Sequence, residues 1–199
     1  SPQSVISAGQ VLGVRGGDDL LALQAGNEVL GGSFLSRLNM NLRETKGWSY
    51  GVRSGIPETA EWVAFRVTAP VQADRTAESI TEILRETRDF TTVRGTTGEE
   101  RQLTVDGATR ELPGQFERSA AVLNGLATLA EFKRPDDWYV RLPERYGAMT
   151  AADMDGAVRR AIDPSRLTFV VVGDASVVKP QLDRLGLPVE VVPSAAPAK

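Results

Sequence analysis

Neither cysteine nor histidine occurs anywhere in this 199-residue sequence, and that double absence narrows both its fold and its chemistry. Without disulfides or the common structural zinc sites, the chain must be held together by apolar burial. Its length and 41% hydrophobic content suit one domain with a sizeable core. A Ser-His-Asp triad, a histidine general base, a catalytic thiol and any histidine-ligated metal are excluded. A net charge of −3 gives no electrostatic pull toward nucleic acid or anionic membrane. No apolar run approaches the roughly 20 residues of a membrane span, so no membrane insertion is expected. The start, Ser1-Pro2-Gln3, has no initiator methionine and reads as a cut piece of a longer polypeptide.

Periodicity predicts an α+β domain over residues 1–192: an antiparallel or mixed sheet with helices packed mainly on one face. Residues 4–10 read as a first strand, followed by a glycine-rich turn at 13–17. Asp18 is placed to cap a helix carrying Leu20, Leu21, Leu23, Ala25 and Val29, which Gly31-Gly32 stops. Ser33 is placed to cap a second helix, with Phe34, Leu35, Leu38 and Leu42 on one face, fading near Gly47. Alternation then puts Trp48, Tyr50 and Val52 on one face of a strand, paired in a hairpin with Val63, Phe65, Val67 and Ala69.

The second half reads mainly as helices. They are expected at residues 74–90, 96–111 and 115–133, with Pro113-Gly114 separating the last two. The apolar composition of 115–133 predicts a well-buried helix. Residues 135–137 open a short helix or turn toward Tyr146, and Thr150 with Asp153 forms a capping box for a helix to Ile162. Residues 167–172 form a short, buried apolar strand, 178–185 a short helix and 189–192 a last strand. The small and polar tail, 193–199, is expected to be disordered.

The stretch richest in chemistry is residues 30–51, LGGSFLSRLNMNLRETKGWSYG. It resembles the signature of the insulinase (pitrilysin, mitochondrial processing peptidase) family, L-G-G-x-x-x-S-R-L followed by L-R-E-x-K-G-aromatic-x-Y. The matching positions are Leu30, Gly31, Gly32, Ser36, Arg37 and Leu38, then Leu42, Arg43, Glu44, Lys46, Gly47, Trp48 and Tyr50.

The resemblance implies a C-terminal-type, non-zinc domain with a metallohydrolase (processing-peptidase)-like fold. In that family an H-x-x-E-H motif in another domain or subunit supplies metal ligands and a general base. Zinc is therefore expected outside this chain, and no metal ligand is expected within it. The partner it implies is that H-x-x-E-H-bearing domain, and the substrate a peptide or unfolded protein segment. Arg43 and Tyr50, seven residues apart, take the catalytic positions by resemblance. A guanidinium and a phenol O–H are fixed donors able to stabilise charge developing on a peptide carbonyl or to orient the substrate backbone. The chain alone is then not an active enzyme. The alternative is a catalytically inert scaffold or interaction domain of the same family. Analogy within the family favours the bacterial periplasm or cell envelope, with the cytoplasm as the other compartment.

Other motifs carry blander readings. Gly31-Gly32-Ser33 lacks the P-loop lysine and the G-x-G-x-x-G spacing, so it is a turn. Glu99-Glu100 and Asp136-Asp137 suit first helical turns electrostatically. Arg37 reads as structural, pairing with a helix end or backbone. Trp62, Trp138 and Tyr139 read as packing residues, since no basic stripe accompanies them.

Overall fold

The computed structural model describes residues 2–192; the expected tail at 193–199 lies outside them. Strand β1 (Gln3–Val11) alternates strictly, with Ser4, Ile6, Ala8 and Gln10 turned inward. Helix α1 (Leu21–Asn27) follows and widens into a π-helical turn, Glu28–Gly32. Helix α2 (Arg37–Asn39) does the same over Met40–Thr45. Then come β2 (Arg53–Gly55), β3 (Ala64–Gln72) and α3 (Thr76–Thr91). The second half contains α4 (Gly98–Gln115), α5 (Ser119–Glu131), α6 (Trp138–Ala148), α7 (Ala151–Ala161), β4 (Thr168–Val172) and α8 (Ala175–Leu182).

Among the described residues the sheet has strand order β2-β3-β1-β4, and every pairing is antiparallel. In β1 and β3, every second side chain enters the core: Ile6 and Ala8 meet Phe65, Val67, Ala69 and Val71. Helices supply the rest of that core through Leu30, Leu38, Leu42, Ile80, Ile83 and Phe90. The opposite sheet face stays open, with Val5, Arg66 and Thr68 on it. The fold is α+β, as the periodicity predicts. A second, smaller core joins α1 to the later helices through Leu21, Val105, Leu112, Leu142 and Met154. Gly26 allows α1 to lie close on α7, because a Cβ there would sit 2.5 Å from Val158 Cγ2.

Several expectations need correction. Asp18 does not cap α1; its carboxylate accepts from Arg15 N (2.7 Å), and Asp19 accepts from Leu21 N (3.3 Å). The N-cap of α2 is Ser36 rather than Ser33, which leaves Phe34 and Leu35 exposed ahead of the helix. Helix α4 runs through Pro113 instead of ending before it.

The expectation for α5 fails most clearly, since Leu123 and Leu126 are 66% and 59% exposed. Only Gly125 of that helix is buried, beside the Phe116–Tyr139 edge-to-face ring pair. Strand β4 lies at a sheet edge with Val170 and Val172 exposed, so it is not a buried strand. Residues 189–192 form no strand, because no neighbour pairs with them among the described residues.

Candidate functional site

The segment from Phe34 to Val52 is shaped by polar pins rather than by alternation. Helix α2 continues with i→i−5 bonding, Lys46 N donating to Asn41 O (2.9 Å). Gly47, in the left-handed region at φ 66°, ends the helix. Its N–H donates to Arg43 O (3.1 Å), and Trp48 N donates to Leu42 O (2.9 Å). The chain therefore reverses directly beneath Arg43. Single π-helical turns recur at functional sites because they re-aim side chains, and one of the two here contains Arg43.

Trp48, Tyr50 and Val52 do not share a strand face, contrary to the alternation reading. Trp48 is half-buried, Val52 fully buried and Tyr50 86% exposed. Only Ser49 makes a β-bridge, to Val71. Its hydroxyl donates to Pro70 O (2.5 Å) and accepts from Gly51 N (3.1 Å), folding the backbone into a local turn. That turn breaks the two-residue period and projects Tyr50 outward.

Arg43 is partly exposed. Its guanidinium lies 4.6 Å from the centroid of the Phe34 ring, and its Nε is 3.3 Å from Glu44 Oε1. No hydrogen bond or ring contact joins Arg43 to Tyr50 among the described residues. Their connection runs through buried Asn39, whose Nδ2 donates to Phe34 O (2.7 Å) and whose Oδ1 accepts from Val52 N (3.0 Å). One amide therefore fixes the turn beneath Arg43's aromatic platform and the strand entry just beyond Tyr50.

Asn41 anchors the same helix from behind, donating to Glu82 Oε2 and Glu86 Oε1 (2.7 Å each). Burial pulls the Glu82 carboxyl upward. The Asn41 and Arg85 hydrogen bonds, with the charges of Arg85 and Lys46, outweigh that and hold it below its usual value. Sequence reasoning missed both asparagines as supports. The available signal was two poor helix formers, Asn39 and Asn41, within an otherwise apolar helical repeat.

Arg37 makes no part of an open site. Its Nε and Nη2 each lie 2.7 Å from a Glu100 carboxylate oxygen, and its other donors reach Arg94 O and Gly95 O. Glu100 is also the acid of the α4 capping box with Thr97. Burial again raises the Glu100 carboxyl, and the Arg37 and Thr97 bonds override it to leave it lowered.

The chain's own residues do not fit a catalytic zinc ion. It has no histidine or cysteine, and no three acidic groups cluster at ligating distance among the described residues. No helix among them is long and apolar enough to cross a membrane.

Residues 2–95 match the family described as the peptidase M16 inactive domain. Among solved structures, the chain is similar to a peptidase M16 inactive domain from Pseudomonas fluorescens, with 22% identity and a TM-score of 0.76; the match covers 86% of this chain and 41% of that one. A protease from Helicobacter pylori shares 15% identity and a TM-score of 0.77, over 87% and 42% of the two chains. The periplasmic protease PqqL from Escherichia coli shares 18% identity and a TM-score of 0.70, over 86% and 19%. The chain thus spans well under half the length of each of these three proteins. No curated protein matches it in sequence. The family match thus lies on residues 2–95, the half that holds the 30–51 signature, and the similarity of fold to these structures extends over most of the chain.

Proposed function

We propose that this domain forms the substrate-side wall of a zinc metalloendopeptidase, presenting Arg43 and Tyr50 to a cleft closed by an H-x-x-E-H-bearing domain or subunit. The observation that carries this reading is the Asn39 clamp. A buried amide fixes the backbone on both sides of the cleft residues, while Tyr50 itself projects outward. The metal chemistry belongs to the partner; this chain would bind and orient. A peptide carbonyl under attack accumulates negative charge, and the Tyr50 O–H and the Arg43 guanidinium are donors carried on backbone that Asn39 anchors. Arg43 is steadied over Phe34, so little orientational freedom is lost when it meets a carbonyl. The compartment named for the E. coli relative supports a periplasmic parent protein, and release of that protein by osmotic shock would check this.

The test is Tyr50→Phe in the assembled protease. Removing one such donor lowers turnover by about 10²–10³-fold. Because Tyr50 is exposed, the melting temperature and circular dichroism should stay unchanged. Near-normal peptide cleavage by Tyr50→Phe would return Tyr50 to a surface residue and favour an inert scaffold.

A further inference from the structure

A groove of about 840 Å³ lies between α4 and the face formed by the first π-helical turn, Phe34-Leu35 and residues 54–57. Its volume falls within the roughly 300–1,000 Å³ typical of ligand sites. Much of the lining is apolar, with Val29, Phe34 and Ile56 on one side and Leu103 and Leu112 on α4. The charged lining residues are Glu28, Glu100 and Glu111; no lysine or arginine lines it. Glu100 is taken up by Arg37. Glu28 and Glu111 form no ion pair among the described residues, although each lies in the other's field. Burial first, and then the Glu111 charge, push the Glu28 carboxyl above its usual range, with Arg53 opposing in part. Tyr146, also in the lining, is pushed up by burial and then by Glu28.

We propose that this groove binds an extended substrate peptide and seats an arginine or lysine side chain beside Glu28 and Glu111. Charge complementarity selects the occupant: Glu28 and Glu111, both open to solvent at the groove, are like charges whose repulsion a bound cation relieves. On β2 the Ser54 carbonyl already accepts from Asn27 Nδ2 (3.4 Å), and the groove walls offer side chains for recognition. Phe34 is both a groove wall and the platform under Arg43, so a peptide leaving the groove passes the candidate cleft. Assigning the occupant as substrate rests on the cleft reading above; the charge selectivity does not.

The test is fluorescence anisotropy on this chain alone. The probes are a fluorescein-labelled nonapeptide of alanine, serine and leucine with one central arginine, and the same peptide with norleucine there. The arginine peptide is expected to bind about five- to tenfold tighter, as for a partly exposed ion pair shared by two carboxylates. Glu28→Gln or Glu111→Gln should remove most of that preference, and Glu111→Lys should shift it toward a peptide with central glutamate. Equal affinity for the arginine and norleucine peptides, or a preference that survives both glutamine variants, would overturn the proposal. Glu111 is exposed, so its variants leave the fold intact and keep the test decisive. No cleavage is measured, so this result stands apart from that of Tyr50→Phe.

Discussion

Removing Arg37 tests how the groove wall is attached to the helix that carries Arg43. The Arg37 side chain is 11% exposed and that of Glu100 28%. Arg37→Ala would break two charge-assisted bonds of 2.7 Å to Glu100 and one of 2.8 Å to Gly95 O. It would also remove the bond to Arg94 O and the stacking over Phe90, whose centroid lies 5.0 Å away. Glu100 would keep its bond from Thr97 N (2.8 Å), which limits the loss. Breaking a fully buried pair costs about 3–5 kcal/mol and an exposed one about 0–1. Given the partial exposure, about 2–3 kcal/mol is expected. For a chain of this size that lowers Tm by about 4–12 °C.

The pH dependence gives a second readout. The Glu100 carboxyl is depressed below its usual 4.5 in the folded state, so its contribution is fully present above pH 4.5 and is lost as pH falls through the folded value. Glu82 behaves similarly but does not involve Arg37, so it cancels between wild type and variant. Urea titrations at pH 7 and pH 3.5 should therefore show a gap that narrows in acid. A loss under about 0.5 kcal/mol at pH 7, or a gap unchanged at pH 3.5, would refute the reasoning.

Two further outcomes follow from local geometry. Gly47→Ala should cost about 1 kcal/mol in urea unfolding, because φ is 66° and an added Cβ meets nothing within 4 Å; the cost is backbone strain alone. On α5, the Leu123→Lys, Leu126→Lys double variant should change stability by less than about 0.5 kcal/mol per site in urea unfolding, because both side chains are exposed. A larger destabilisation would show that this helix is packed in solution.

Much of the fold was legible because its elements obey a single period. Val63, Phe65, Val67 and Ala69 read as one strand face from alternation and are all buried. Ile80 and Ile83 mark the buried side of α3 in the same way, and the Thr150–Asp153 capping box forms as read. The failures have a different physics. Tyr50 leaves its expected face because the Ser49 hydroxyl donates to Pro70 O and Asn39 Oδ1 accepts from Val52 N. Periodicity does not encode such long-range polar bonds. Helix α5 shows that apolar composition is a capacity for burial, realised only where another element covers it. Residues 189–192 lack a partner strand in the same sense. The Glu28–Glu111 groove was invisible because only the packing of α4 against the first π-helical turn brings those carboxylates together.

What the sequence alone could not convey about Tyr50 is the cost of its placement. Buried polar groups contribute when satisfied and are costly when not, so a chain gains little by using them to hold an exposed side chain. Yet Asn39 and Ser49, held by bonds of 2.5–3.1 Å, immobilise the backbone around a phenol that packs against nothing in this domain. Stability of the isolated chain gives no reason for that investment. Preorganisation does: backbone anchored in advance leaves less freedom to lose when a second surface closes over its side chain. That surface is the partner domain or subunit proposed above; the structures from P. fluorescens and H. pylori, of which the match covers 41% and 42%, are long enough to contain such a second unit. The exposure of Tyr50 is thus a reason to expect a cleft there, and the Asn39 clamp is what distinguishes it from an ordinary surface tyrosine.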